Sequence, residues 1–280
     1  MATSGKKNFL ITGAGSGFGR ALAKEALLSG CSVIGTVRRE AARQEFNAMD
    51  PARARAILLD VTDFAAIGPA VARVERDVGP IDVLVNSAGY GHEGTLEESP
   101  LEEMRRQFDV NVFGAVAMIK AVLPFMRERR RGHIINITSM AGYVGLAGIP
   151  YYAGSKFALE GVSEVLAYEV RGFGIKVTAV APGSFRTDWA GRSMIRSPRS
   201  IADYDSLFDP IRRARSEKSG QQAGDPVKAA RAILKVVEAN DPPMHLLLGS
   251  DALKLARDKL NSLEKEIDTW ESVTRSTEYA

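Results

Sequence analysis

Seven short runs rich in Val, Ile and Leu punctuate the chain, and each is apolar nearly throughout rather than on alternate residues. They occupy residues 8–12, 31–37, 56–61, 81–86, 133–138, 175–181 and 244–248. An alternating pattern marks a strand with one wet face, whereas a continuous run marks a strand covered on both. Between the runs lie stretches with apolar residues at helical spacing, at 20–29, 66–78 and 104–129, the first stopped by Gly30. Strands alternating with helices predict an α/β fold. Its centre is a doubly wound, seven-stranded parallel sheet with helices on both faces and right-handed crossovers.

No Pro/Gly/Ser-rich linker, repeat or low-complexity tract breaks this order, so residues 1–250 read as one domain. Two segments fall outside the alternation. Residues 188–226 follow the sixth run and read as irregular, with mixed charge and large apolar side chains. Residues 251–280 follow the seventh as a helical extension. There Leu253, Ala256, Leu260, Leu263, Ile267 and Trp270 form one apolar stripe. The simplest expectation is that the stripe packs on its own domain; a subunit contact is the sharper alternative.

Charge narrows the partners. The 280 residues carry 37 basic and 34 acidic side chains, a net of +3, too small an excess to give a whole-protein field for nucleic acid. The single cysteine, Cys31, excludes an intrachain disulfide and fits a reducing compartment. His92, His133 and His245 lack the paired spacing of a zinc site, so no metal is expected. The first ten residues have no long apolar core of the signal-peptide kind, and no window approaches 18 apolar residues without charge. These features predict a cytoplasmic chain with no membrane span.

Chemistry first appears where the first strand meets the first helix, in Thr12-Gly13-Ala14-Gly15-Ser16-Gly17-Phe18-Gly19. Glycines there let the backbone turn tightly and approach a pyrophosphate, which a helix N-terminus meets with unpaired N–H groups. The strand-before, helix-after context turns a weak glycine cluster into a dinucleotide site. The end of the second strand selects between cofactors, since an acid there bonds the ribose hydroxyls and repels a 2′-phosphate. Here the strand ends in Arg38 and Arg39, with no acid before Glu40. Arginine suits a phosphate by charge and fork geometry, which favours NADP(H) over NAD(H).

Tyr152 and Lys156 stand four apart in a helical pattern that follows Pro150, and so share one face. An ammonium beside a phenol favours the phenolate and lowers its pKa, so Tyr152 is expected to exchange a proton with an alcohol or carbonyl oxygen. Ser139 ends the fifth run, at the sheet edge where open α/β folds bind ligands, and its hydroxyl suits the same oxygen.

With these residues in view the chain resembles the short-chain dehydrogenases/reductases of the single-domain, Rossmann-fold type, from about residue 6 to residue 249. Thr12, Gly13, Gly17 and Gly19 match that family's T-G-x-x-x-G-x-G. Asp60-Val61 resembles its adenine-contacting pair, and Asn86-Ser87-Ala88-Gly89 its N-N-A-G with a serine at the second place. Asn111 stands at its fourth catalytic position, and Pro182-Gly183 with Thr187 resembles the segment that holds the nicotinamide carboxamide. The resemblance implies Tyr152 as general acid/base, Lys156 lowering its pKa and holding the nicotinamide ribose, and Ser139 polarising the carbonyl. Asn111 would anchor a water that passes protons to the lysine. It also implies a homo-oligomer, dimer or tetramer. Ser87 is too short for the usual strand-bracing contact, and the tail exceeds that of compact tetrameric members.

The substrate is expected to be a small carbonyl or alcohol. In residues 188–226, Trp189, Met194, Ile195, Ile201, Tyr204, Leu207 and Phe208 suit a lid over a lipophilic ketone or secondary alcohol of steroid, retinoid or long-chain type. The interspersed Arg192, Arg196 and Arg199 leave room for an anionic group. Arg127, Arg129, Arg130 and Arg131 read as helix-end charges or as a docking patch for an acyl carrier, which would make the protein a 3-oxoacyl-carrier reductase. A dinucleotide sensor without turnover would have no need of Asn111, Ser139, Tyr152 and Lys156 together. Tyr151 and Cys31 read as packing residues, and His92 as a satisfied loop histidine rather than a group at the site mouth.

Overall fold

In the computed structural model, which describes residues 6–191 and 193–279, the apolar runs form one parallel sheet. Its strands are β1 (Asn8–Ile11), β2 (Ser32–Val37), β3 (Ala54–Leu58), β4 (Val83–Asn86), β6 (Gly132–Ile137), β7 (Ile175–Pro182) and β9 (His245–Leu248). They lie in the order β3-β2-β1-β4-β6-β7-β9, every neighbouring pair parallel. The order reverses between β1 and β4, which opens a crevice beyond the carboxyl ends of those strands.

Both faces of the sheet are covered, which is why the runs do not alternate. Phe9 and Ile11 point into one core with Leu22, Ala26 and Leu27 of α1 (Gly17–Leu28) and Ile233 and Val237 of α8 (Pro226–Glu238). Leu10 points into the other, with Ile67 and Val71 of α3 (Phe64–Asp77), Met118 and Val122 of α5 (Gly114–Glu128) and Leu166 of α6 (Pro150–Val170). All three β1 side chains are fully buried. Start signals are local: Asp63 accepts the Ala66 N–H ahead of α3, and Asp225 accepts from Val227 and Lys228 ahead of Pro226.

The structure departs from the sequence reading in four places. The third strand runs Ala54–Leu58, not to residue 61, because exposed Arg55 hides its first half, while Asp60 and Val61 lie in the loop beyond. Helix α2 (Glu40–Asn47) buries only Phe46 and so shows too narrow an apolar stripe to stand out. The stretch read as one helix at 104–129 is α4 (Leu101–Phe108), a π turn at Asp109–Phe113, and α5. It is also long and apolar enough to cross a membrane by length and composition, although the sequence windows argued against any span. Its apolar side, Met118, Ile119, Val122 and Met126, is however buried in the core. Finally, residues 188–226 are ordered: β8 (Met194–Arg196) pairs with β5 (Gly91–Glu93) in a second, two-stranded sheet, and α7 (Asp205–Glu217) follows. Arg192 lies outside the described residues.

The tail is helical, as the stripe predicts, but the expectation that it packs on the domain is met only at its start. Helix α9 (Ser250–Arg275) buries Ala252 and Ala256, while Leu260, Ile267 and Trp270 are each about 60% exposed. At 1.5 Å per residue the helix is about 39 Å long, and every residue after Ala256 is exposed.

Candidate active site

The crevice at the carboxyl ends of β1, β4, β6 and β7 gathers almost every residue singled out above. Three features of the β1–α1 turn create its nucleotide-binding shape. Gly13 and Gly17 have φ of +65° and +53°, a region that side chains disfavour. A Cβ on Gly13 would lie 2.8 Å from the Ala88 Cα, and one on Gly19 would lie 2.7 Å from the Gly13 carbonyl oxygen. Ser16 caps α1 without a side-chain hydrogen bond, and the first turn holds no acidic residue, so its N–H groups face the crevice uncompensated. This cradle fits a dinucleotide pyrophosphate.

The loop after β4 is fixed by Thr12, whose hydroxyl oxygen accepts the Ser87 and Ala88 N–H groups, both at 3.0 Å. This is how the short Ser87 is accommodated: its backbone, not its side chain, ties β4 to β1. Asn86 donates to Asn136 on β6, which donates to Ser163 on α6, a buried polar chain of 2.9 and 2.8 Å bonds. On the far side, Thr187 stands beside Gly17, with 3.9 Å between its Cβ and a Cβ built there. Phe18 meets Phe185 edge to face at 5.2 Å. Gly183 is held by its N–H to Leu248, next to Pro182 at the end of β7. Arg38 ends β2 with its guanidinium largely in solvent, 4.0 Å from Asp60.

Tyr152 and Lys156 lie on α6, one turn apart, and both are buried. The Lys156 Nζ donates to the Ile137 carbonyl at 2.8 Å and sits 5.6 Å from the centre of the Tyr152 ring. Ser139, just past β6, faces the phenol, and its oxygen also accepts the Ala141 N–H. Asn111 lies in the π turn, where the widened backbone carries its side chain inward. Its Nδ2 donates to the Tyr90 carbonyl and to Ser155, while its Oδ1 accepts the Tyr90 N–H, each at 3.1 Å. A Cβ on Gly89 would be 3.1 Å from the Asn111 Oδ1 and 3.7 Å from the Lys156 Nζ, so these three meet.

Burial rules the electrostatics here. It pushes the Tyr152 phenol up to about 12, against the opposing pull of Ser139 and Trp189, and pushes Lys156 down to about 8, with Glu160 opposing. The expectation that Lys156 lowers the phenol is therefore not met in this state. Desolvation outweighs the ammonium, which is turned to a backbone carbonyl rather than to the phenol oxygen.

The lid lies over this group. Trp189 stacks at 4.9 Å from the Tyr152 ring. Phe208 fills the space beside Gly148, where a Cβ would collide with its ring. Buried Glu93 on β5 is met by Arg196, Arg212 and Arg215 at 3.2, 3.4 and 2.6 Å, and Arg199 pairs with Glu98 at 3.0 Å. The lid arginines thus serve as fasteners.

Sequence reasoning missed Asn136, Ser163 and a second buried group: Glu160 accepts from Thr138 and Tyr143 and meets His245 at 3.1 Å. Its one signal was its place four residues after Lys156. His92 lies on β5 rather than in a loop. It is fully buried against Ser197 and Tyr151, and burial lowers its pKa. Tyr151 donates to the Ser99 carbonyl. Arg129 binds Glu75 through two bonds, Arg130 covers Phe173 and Arg131 faces Asp82, so the arginine cluster is largely taken up within the fold. Among the described residues no cluster of His, Cys, Asp and Glu is arranged to hold a metal.

Comparison with known proteins agrees with this architecture. The short chain dehydrogenase family model matches residues 7–195. An oxidoreductase from Botryotinia fuckeliana, BOA17, is 36% identical over 96% of this chain and 98% of its own. A 3-ketodihydrosphingosine reductase from Bacteroides thetaiotaomicron is 39% identical over 86% of this chain and 87% of its own. The crystal structure of a short-chain dehydrogenase from Streptomyces avermitilis superposes with a TM-score of 0.92 and 42% identity, over 99% of this chain and all of that one. A cradle shaped for a dinucleotide, a buried Tyr-Lys pair beside it and relatives matched along nearly their whole length lead to one conclusion: the chain belongs to the short-chain dehydrogenase family and is an oxidoreductase.

Proposed function

We propose that the protein interconverts a lipophilic ketone and its secondary alcohol with NADP(H). The observation that carries this reading is the convergence of Tyr152, Lys156, Ser139 and Asn111 next to Gly89, under an apolar lid led by Trp189. The nicotinamide supplies or accepts the hydride when bound. Gly13, Ser16, Gly17, Phe18 and Gly19 hold the pyrophosphate, and Asp60 and Val61 the adenine. Asn86, Ala88, Gly89, Pro182, Gly183 and Thr187 line the nicotinamide half.

In the reducing direction Ser139 orients the substrate oxygen, and the Tyr152 O–H gives it a proton. A phenol held at about 12 is fully protonated at neutral pH and so is charged for that transfer. Lys156 stabilises the resulting phenolate, and Asn111 holds the proton path to Lys156 open. Arg38 and Arg39 favour the 2′-phosphate, since Arg38 is exposed enough to turn on to it. The lid's Trp189 and Met194, and the name of the sphingoid-base reductase relative, support a long-chain substrate. We place the protein in the cytoplasm as a homo-oligomer.

The test follows NADPH oxidation by absorbance across ketones of graded chain length. Tyr152→Phe should abolish turnover and leave NADPH binding intact. Arg38→Glu should weaken NADPH by about ten- to a hundredfold, in line with one or two charge-assisted bonds, and NADH much less. Turnover that survives Tyr152→Phe, or equal losses for both cofactors, would overturn these roles.

A further inference from the structure

The stripe on α9 is the largest apolar feature that the catalytic architecture leaves unused. Leu253, Leu260, Leu263, Ile267 and Trp270 are between 41 and 62% exposed along one face. Together with Ala256 they repeat at the alternating three- and four-residue spacing of coiled-coil core positions. The flanking charges are divided along the helix. Arg257 and Lys259 border the stripe in its first half, Glu264 and Glu266 in its second. Other α9 charges pair within the helix, Lys254 with Asp258 and Arg275 with Glu271. Among the described residues no ion pair engages Arg257, Lys259, Glu264 or Glu266.

We propose that α9 pairs with α9 of a second copy of this chain, antiparallel about a two-fold axis that crosses the helix between Asn261 and Ser262. Charge selects that occupant and that register. With the axis there, core positions fall opposite core positions: Leu260 meets the second copy's Leu263, Leu253 its Trp270, and Ala256 its Ile267. Arg257 then faces the second copy's Glu264, and Lys259 its Glu266, each twice by symmetry. Sliding the axis half a heptad toward the C-terminus sets Glu264 against Glu264 and Glu266 against Glu266. A parallel pair sets Lys259 against Glu264 but Glu266 against Glu271. Only the first arrangement satisfies all four unpaired charges and repels none.

It also matches size, since large Trp270 and Ile267 oppose the positions where α9 sits closest to its own domain and carries Leu253 and small Ala256. An isologous contact of this kind closes on itself, so it gives a dimer, not a fibre.

The experiment uses the full chain. Sedimentation velocity of the wild type is compared with Arg257→Glu/Lys259→Glu and with Glu264→Lys/Glu266→Lys. Each double variant should associate at least tenfold more weakly, and an equimolar mixture of the two should restore the pairing. Orientation is read by disulfide cross-linking, in which buried Cys31 takes no part. Leu253→Cys mixed with Trp270→Cys should cross-link, whereas Trp270→Cys alone should not, because two such positions stand about 25 Å apart along an antiparallel pair. Association unchanged by both double variants would overturn the proposal. So would Trp270→Cys cross-linking to itself, the sign of a parallel pair. A monomeric wild type that sediments with phosphatidylglycerol vesicles would assign the stripe to a lipid surface instead.

Discussion

Lys156→Met should make this protein more stable at neutral pH while destroying its chemistry. The lysine is buried, and burial lowers its pKa from 10.5 to about 8. At about 1.4 kcal/mol per pH unit, that shift corresponds to about 3 kcal/mol by which folding opposes the charged form. Below pH 8 the side chain is charged in both folded and unfolded chains, so the whole penalty is present. Between pH 8 and 10.5 the unfolded chain binds more protons than the folded one, and stability rises with pH. Above 10.5 the lysine is neutral in both states and the penalty is gone. Methionine removes the penalty but also the 2.8 Å bond to the Ile137 carbonyl, which contributes about 1 kcal/mol. The net expectation is a variant about 2 kcal/mol more stable at pH 7, or roughly 3 °C in Tm for a chain of this length. By pH 10.5 it should be about 1 kcal/mol less stable than wild type. Urea unfolding of both proteins at the two pH values isolates the lysine, since the other titrating groups are common to both. A difference that does not change with pH would refute the argument that this ammonium is held charged against its surroundings.

Two further perturbations test the cradle and the lid. Gly19→Ala places a Cβ 2.7 Å from the Gly13 carbonyl oxygen, so it should cut dinucleotide affinity by at least tenfold, measured by fluorescence titration; unchanged affinity would show that the turn relaxes without cost to binding. Glu93→Gln leaves Arg196, Arg212 and Arg215 without their shared carboxylate. Each of these arginines keeps partial access to water, so the loss is set at about 2 kcal/mol, below the range for a wholly buried pair. It should appear as faster limited proteolysis within residues 197–220 and a higher KM with kcat nearly kept. Equal proteolysis of variant and wild type would remove Glu93 as the fastener of the lid.

Much of this protein was legible in one dimension because the relevant signals are local. A strand covered on both faces must be apolar throughout, so the seven strands could be located before any fold was known. The glycine turn is also local: a tight approach between backbones needs residues without a Cβ at fixed offsets from a helix start. Tyr152 and Lys156 share a face because one helical turn separates them, and Ser139 sits where a strand ends. What the sequence could not state was set by contacts between distant segments. Glu93, Glu98 and the lid arginines are about a hundred residues apart, and only the pairing of β5 with β8 joins them. The Asn86-Asn136-Ser163 chain and the Glu160-His245 contact cross three elements each and have no spacing rule. The pKa order of Tyr152 and Lys156 likewise depends on burial, which is a property of the whole fold. A neighbouring charge can be counted from sequence, but the water excluded around it cannot. The tail shows the same division: its stripe and its charges were written in the sequence, and the tertiary structure decided that the domain leaves most of that stripe uncovered.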